Sequence, residues 1–359
     1  MNPAELISWL LMLCLLATSG TAWVLAFRRR SSGEPLLRYE PRQHVPWGAL
    51  DLLLFLCLFI AFIVVAGAVL ALSGSTEFTL PLEKQSAVGR ALTIFFSAAS
   101  EFALVIAALL LIAFKNSASR SDLGIVVDRA GEDLRLGMVG FIYLAGPVFL
   151  IQAILSLWWP SEHPLIELVR KNPSLSFFLV SIFSAVIVAP IAEELVFRVL
   201  LQGWLEKFQS SSKDPEGLLL GRFPSVQRDA QVVDAKAVAS DEVEMSNHEY
   251  QQAVDNNPYA SPQATSTPNA NAECKDAMRR EAAGFRPPIW PIMVSAAVFA
   301  LMHYNHGPDP IPLFVFAIGL GYLYQRTHRV LPCIVVHFLL NSLSMGILIL
   351  EAYFGGQSW

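Results

Sequence analysis

Residues 175–201 read LSFFLVSIFSAVIVAPIAEELVFRVLL, an apolar stretch that contains three charged side chains. About 20 apolar residues in a helix are enough to cross the hydrocarbon layer of a bilayer. A charged side chain inside that layer costs about 2.5–3.5 kcal/mol on insertion scales, so it is a candidate for function wherever it occurs. The stretch therefore predicts a transmembrane helix with a polar site at Glu193, Glu194 and Arg198.

The composition of the whole chain agrees with a membrane protein. The chain has 359 residues, of which 54% are hydrophobic and 15% are charged, whereas soluble domains carry about 25% charged residues. The net charge is −5, and much of the acid lies in one polar segment, so nothing indicates a nucleic-acid partner. The four cysteines form no disulfide framework.

Eight apolar stretches can be counted as transmembrane helices. We therefore predict an all-α polytopic membrane protein, a bundle of about eight transmembrane helices. The sixth and seventh stretches are short, which fits either tilt or packing inside the bundle. The predicted spans are Leu6–Phe27, Leu52–Leu72, Leu92–Phe114, Leu136–Trp158, Leu175–Leu201, Ile289–Tyr304, Ile311–Tyr324 and Val330–Leu350.

Basic residues predict the orientation, because cytoplasmic loops carry an excess of Lys and Arg. Arg28, Arg29 and Arg30 end the first span, and further basic residues follow the third and seventh spans. No basic region precedes the first span, which favours a retained helix over a cleaved signal. We predict a multi-pass protein of the plasma membrane with both termini outside.

One segment differs from the rest. Residues 209–287 are polar and rich in Ser, Pro, Asn and Ala, and such a segment cannot bury enough apolar surface to offset the entropy of ordering it. We predict a disordered cytoplasmic insertion there. The chain then divides into helices 1–4 (residues 1–158), a catalytic region (174–208 and 288–352) and the insertion.

The last helices carry further polar residues. His303 lies on the sixth span, and His337 and Asn341 are four residues apart on the eighth, hence on one face. Glu194 and Arg198 share a face and can pair, which leaves Glu193 as a carboxylate suited to general-base work. A lone membrane His is usually a packing residue, but polar groups that faced lipid separately would be costly. We expect the set to converge on one cavity.

Other membrane-protease signatures are missing. The chain has no His-Glu-x-x-His zinc motif, no Gly-x-Ser-Gly serine motif and no pair of mid-membrane Asp residues. Glu101 is another acid in the middle of a predicted span, and it is either part of the cavity or the partner of a buried cation.

Three motifs in this order resemble the CPBP intramembrane proteases, which include the type II CAAX prenyl endopeptidase and Abi-type, bacteriocin-processing relatives. The motifs are Glu-Glu-x-x-x-Arg, Phe-x-x-x-His and His-x-x-x-Asn, on successive late helices. The resemblance covers about residues 175–345, and the long insertion between the first two motifs departs from the family pattern. The matching residues are Glu193, Glu194, Arg198, Phe299, His303, His337 and Asn341.

The resemblance implies hydrolysis of a peptide bond near the cytoplasmic side of the membrane. Glu193, assisted by His303, would activate a water, and His337 and Asn341 would stabilise the oxyanion. Glu194 and Arg198 would support the site. We favour a site without a cofactor, and the alternative is Zn²⁺ held by Glu193, His303 and His337.

The implied substrate is a membrane-associated peptide or protein, and whether it carries a lipid is left open. Two other functions fit the same bundle. One is a non-enzymatic membrane chaperone or bacteriocin-immunity factor, although the retained polar residues argue against it. The other is a transporter, which predicts inverted repeats that the sequence does not show.

Overall fold

The computed structural model describes residues 3–40, 45–72, 80, 84–159, 175–210, 215–221, 287–304 and 307–354. All of these residues belong to one compact unit. Within these ranges the chain forms helices and their connections, with no strand.

The helices follow the predicted apolar stretches. The helix that carries the three charged residues, α5, runs continuously through residues 175–210 and mixes α-helical with π-helical turns. The elements are α1 (Pro3–Ser31), α2 (Ala49–Leu72), α3 (Ala87–Lys115), α4 (Ala130–Ser156), α5, α6 (Pro215–Leu220), α7 (Trp290–Leu301), α8 (Pro310–Thr327) and α9 (Leu331–Phe354).

The length and apolar character of the helices confirm the polytopic membrane bundle. Among the described residues, α1 to α5 and α9 are long and apolar enough to cross a bilayer. No residue in the most apolar 18-residue stretch of α2 is buried inside the protein, which suits a surface that faces lipid. The six long helices and the shorter apolar α7, which has 12 residues and is about 18 Å long, agree with the predicted bundle, whereas α8 does not meet this criterion.

The short helices α7 and α8 pack inside the bundle. Phe299 on α7 and Phe316, Leu320 and Tyr324 on α8 have no exposed surface. Gly137 lets α4 approach α9, since a Cβ there would overlap the Val335 side chain. Interior position, rather than length, therefore explains the two short spans.

One end of the bundle carries an ion-pair cluster, and we call it the basic end. α1, α3 and α8 finish there, and α4 and α9 begin there. Arg329 bonds to the buried Asp133 and, at 3.1 Å, to Glu40, which also accepts from Arg129 at 2.8 Å. These bonds tie the end of α8 to α4 and to the segment that follows α1.

The start of the predicted insertion is folded, so the boundary at residue 209 is too early. Lys207 Nζ donates to Trp47 O at 3.0 Å and to Gly217 O at 2.8 Å. Trp204 Nε1 donates to Leu218 O at 3.2 Å. Side chains of α5 thus bind the backbone carbonyls of α6, and the folded unit extends to Gly221. Residues 222–286, on which most of the insertion prediction falls, lie outside the described residues.

Candidate active site

Two π-helical segments of α5, Phe183–Val188 and Leu195–Gln202, flank the α-helical segment Ala189–Glu194. In a π-helical turn each N–H donates to the carbonyl five residues earlier. Ala189 N–H donates to Ser184 O in this way. The next residue, Pro190, has no N–H, so the carbonyl of Ala185 lacks the matching backbone donor. The Nδ2 atom of Asn341 donates to that carbonyl at 2.8 Å. The proline and the π-helical turn therefore hold the Asn341 amide against α5.

Glu194 and Arg198 form a fully buried ion pair, as their spacing of four predicts. Arg198 Nε donates to Glu194 Oε2 at 3.0 Å, and both side chains have no exposed surface. Arg198 Nη1 also donates to Ser295 Oγ at 3.4 Å, and that hydroxyl donates to Phe197 O at 2.9 Å. The pair joins α5 to α7, and removal of either partner would strand a buried charge.

The same carboxylate holds His337 in place. Oε1 of Glu194 lies 2.9 Å from Nδ1 of His337. Because the ionised carboxylate only accepts, Nδ1 is the donor, and Nε2 is the ring nitrogen left for chemistry. Nε2 lies 3.7 Å from Oε2 of Glu193. A chain of polar side chains thus runs from Arg198 through Glu194 and His337 to Glu193.

His303 lies in the turn after the end of α7. Its Nδ1 atom is 2.9 Å from Phe299 O, and a carbonyl only accepts, so Nδ1 donates and Nε2 is the basic nitrogen. The ring packs on Phe299 with centroids 5.0 Å apart, and the ring centroids of Phe299 and His337 are 6.0 Å apart. Electrostatic interactions link the Glu193 carboxylate to both imidazoles. Phe299 therefore contacts both histidines that interact with Glu193.

Glu193, His303, His337 and Asn341 line one cavity of about 520 Å³. Glu194 and Arg198 do not line it but lie behind it, where the pair orients His337. Most of the remaining lining is apolar, and Gln152, Asp309 and Ser344 are polar exceptions. The other lining residues are Met12, Val148, Phe149, Ala153, Ala185, Ala189, Phe299, Pro312, Leu313, Leu340, Met345, Ile347 and Leu348.

α5 is longer than the sequence predicts. A helix that ended near Leu201 would place Glu193 roughly 12–15 Å from its cytoplasmic end. α5 continues to Ser210, which puts Glu193 about 25 Å from the end of the helix. Because the last turns of α5 are polar, this length does not give the distance of Glu193 from the membrane surface, and the position near the cytoplasmic side stays a prediction.

A family model matches the segments that carry the three motifs. Residues 175–221 and 276–343 match the model described as type II CAAX prenyl endopeptidase Rce1-like. The match supports a CPBP family intramembrane protease for this part of the chain, as the resemblance of the three motifs predicts. The unmatched residues 222–275 lie within the predicted insertion, residues 209–287. No curated protein and no solved structure matches the chain.

The zinc alternative needs three ligands around one point. Among the described residues, no three His, Cys, Asp or Glu side chains are grouped closely enough to hold a metal ion. This arrangement lends no support to Zn²⁺ held by Glu193, His303 and His337, and the choice between the metal-free site and the zinc site stays a prediction.

Sequence reasoning missed some residues around the CPBP site. Ser295 precedes Phe299 by four residues and His303 by eight, so this spacing along one helical face could have revealed it. The Nε2 atom of Gln152 donates to Oδ1 of Asp309 at 2.9 Å, and this hydrogen bond joins α4 to the start of α8. Because the two residues are far apart in the sequence, no local pattern predicts that they pair. Glu101 is exposed on α3 and is not part of the cavity lining, although it interacts electrostatically with Glu193.

Proposed function

We propose that this chain is an intramembrane endopeptidase that hydrolyses a peptide bond of a membrane-associated protein or peptide. One observation supports this most strongly: the Glu193 carboxylate lines the cavity beside His337, whose Nδ1 is held by the buried Glu194. A general base needs a fixed position next to the reacting water, and this arrangement supplies one.

In the proposed reaction, Glu193 accepts a proton from a water as the water oxygen attacks the scissile carbonyl carbon. The Nε2 atom of His303 accepts a hydrogen bond from the same water and helps to orient it. The tetrahedral intermediate collapses when the C–N bond breaks, and Glu193 returns the proton to the leaving nitrogen. The products are a new carboxylate and a new amine, with no co-reactant besides water.

The oxyanion of that intermediate needs hydrogen-bond donors. Protonated His337 offers Nε2–H, and Glu194 on its Nδ1 stabilises the imidazolium charge. Asn341 offers the second N–H of the Nδ2 group whose first N–H is bonded to Ala185 O. Removing one such donor in well-studied hydrolases costs about 2.7–4 kcal/mol of transition-state stabilisation.

The apolar part of the cavity supports a substrate that carries an apolar side chain or a lipid chain near the cleavage site. Pockets of about 300–1,000 Å³ with apolar walls and a few placed polar groups are typical of ligand sites. The volume of about 520 Å³ falls within that range. We propose the plasma membrane as the location and a membrane-tethered peptide as the substrate class.

The test is a peptidase assay on the purified full-length chain in detergent, with a library of apolar and lipid-tethered peptides. We expect cleavage by the wild-type chain and none by Glu193→Ala, with mass spectrometry locating the bond. If no library member is cleaved differently by the two proteins, the endopeptidase proposal is wrong, and a chaperone or immunity role has to be tested.

A further inference from the structure

We propose that the lipid-facing side of the bundle carries a binding site for an anionic phospholipid of the membrane leaflet at the basic end. The site has two parts. One is an apolar groove between α4, α5 and α9, which we call the lipid groove. The other is the guanidinium group of Arg135, which follows a groove residue on α4. The inference goes beyond the proposed function and does not rest on it.

The lipid groove has a volume of about 220 Å³, and every described residue that lines it is apolar. Leu134 on α4 and Phe338 on α9 are 51% and 40% exposed, so the groove lies at the surface of the bundle. Both helices are long and apolar enough to cross a bilayer, so hydrocarbon surrounds this surface. The lining includes Leu134, Met138, Pro190, Ile191, Ile334 and Phe338.

The lipid groove extends into the membrane from the basic end, where α4 and α9 begin. Leu134 is the fifth residue of α4, and Ile334 is the fourth residue of α9. From these residues the groove follows the two helices as far as Met138 and Leu339, over about 6–8 Å. It therefore starts near the headgroup layer and enters the hydrocarbon, which is the path of a phospholipid acyl chain.

Arg135 supplies a positive charge at the headgroup end of the lipid groove. It follows Leu134 and precedes Met138 by three residues, so it lies on the adjoining surface of α4. Because Cα–Cβ bonds tilt toward the start of a helix, its side chain extends toward the basic end. The residue is exposed, and it has no hydrogen-bond or ion-pair partner within the described part of the chain.

The acidic side chains near Arg135 are bound by other arginines. Glu132 accepts from Arg129 Nε at 2.8 Å, and the buried Asp133 bonds to Arg329. The charge of Arg135 is therefore left for an anionic partner. A phosphate group suits this position, because a guanidinium group can donate two parallel hydrogen bonds to it.

A lipid chain fits the groove better than another helix does. Interfaces between membrane helices are enriched in Gly, Ala, Ser and Thr, which let the backbones approach closely. None of these residue types is among the described residues that line the groove. Pockets for whole small ligands have volumes of about 300–1,000 Å³, and the smaller lipid groove suits a single hydrocarbon chain.

The lipid groove and Arg135 have different roles in binding. The tails of the surrounding bilayer are as apolar as the groove, so burial of an acyl chain there does not distinguish one lipid from another. A basic side chain near the membrane surface contributes about 1 kcal/mol to the attraction of an anionic lipid, which is about a fivefold preference. Arg135 therefore selects the headgroup, and the groove positions the chain.

The lipid groove lies behind the segment of α5 that carries Glu193. Pro190 and Ile191 line the groove and Glu193 lines the cavity, and all three belong to the α-helical segment Ala189–Glu194. Among the described residues, none lines both the groove and the cavity. A bound chain packs on this segment and on α9 together, so it should stabilise the folded protein.

Lipid titration of the purified full-length chain in a nonionic detergent tests the proposal. The probes are phosphatidylglycerol, which is anionic, and phosphatidylcholine, which is zwitterionic. Native mass spectrometry gives the Kd, and thermal unfolding gives the midpoint. Arg135→Gln removes the charge, and Arg120→Gln, at another exposed arginine, is its matched control. Leu134→Trp fills the groove, and Leu150→Trp, at an exposed leucine of the same helix outside the groove, is its control. Size-exclusion profiles check that each variant is folded.

We expect the wild-type chain to bind phosphatidylglycerol about fivefold more tightly than phosphatidylcholine, and to unfold at a higher temperature when it is bound. Arg135→Gln should lose this preference, Leu134→Trp should weaken the binding of both lipids, and the two controls should behave as the wild type does. Equal affinity of the wild-type chain for the two lipids, or a preference that survives in Arg135→Gln, would overturn the proposal. Undiminished binding by Leu134→Trp, or displacement of phosphatidylglycerol by a lipid-tethered peptide, would overturn the assignment of the groove to a phospholipid.

Discussion

Nδ1 of His337 donates to Oε1 of Glu194 across 2.9 Å, between two helices whose residues are 143 positions apart in the chain. Oε2 of the same carboxylate accepts from Arg198 at 3.0 Å. Glu194 is therefore shared between a structural ion pair and the orientation of a cavity residue. Its neighbour Glu193 lines the cavity and does not combine these two roles. The two adjacent glutamates should respond differently to the same substitution.

Glu194→Gln should lower both stability and activity. The amide is nearly isosteric but removes the negative charge, so Arg198 is left buried without a countercharge, at a cost of about 3–5 kcal/mol. His337 also loses the negative charge that would stabilise its protonated form. Thermal unfolding in detergent should show a clearly lower midpoint than the wild-type chain. An unchanged midpoint would mean that the pair does not hold α5 against α7.

Asn341→Ala should lower kcat by about 10²–10³ with little change in KM, because an oxyanion donor acts mainly in the transition state. Ser344→Ala is the matched control: it lies on the same helix and the same cavity wall but has no proposed part in the chemistry. We expect it to retain most of the wild-type kcat. Equal losses in the two variants would indicate a packing effect rather than oxyanion stabilisation.

Chelators should leave the hydrolysis rate within about twofold of the untreated enzyme, if the water is activated by the Glu193 carboxylate alone. The measurement is the rate after incubation with a strong chelator, then after re-addition of Zn²⁺. Near-complete loss with recovery by Zn²⁺ would show that the side chains rearrange around a metal. That outcome would reject the metal-free mechanism and keep the peptidase function.

Two deletions test the boundary of the insertion. Removal of residues 224–284 should leave the folded unit and its thermal midpoint unchanged, because long surface insertions cost little closure entropy. Removal of residues 211–284 also deletes α6, so Lys207 and Trp204 lose acceptors on α6. That variant should unfold at a lower temperature. If the two deletion variants unfold at the same temperature, the insertion begins at residue 209, as the sequence predicts.

The sequence predicted those parts of the fold that depend on local pattern. α5 and its charged residues follow from an apolar stretch, and the ion pair of Glu194 with Arg198 follows from a spacing of four. The meeting of His303, His337 and Asn341 in one cavity also follows, because separate polar groups in lipid would each be costly. Their chemical roles stay predictions.

Other features depend on contacts that no local pattern reveals. The extension of α5 to Ser210 and the small helix α6 are stabilised by Lys207, whose acceptors lie on two other segments. The π-helical turn at Phe183–Val188 is coupled to Asn341, which is 156 residues from Ala185. The end of α5 was predicted too early, because its last turns lie in a polar stretch.

We propose that Glu193 activates the water, and the most direct test measures kcat and the thermal midpoint of Glu193→Gln together. Glu132→Gln, at the exposed surface of the basic end, is the matched control for the chemical change. We predict that Glu193→Gln lowers kcat by about 10²–10⁴ while its midpoint stays at the wild-type value, since the amide keeps the shape but cannot accept the proton. Wild-type kcat in Glu193→Gln would contradict the account.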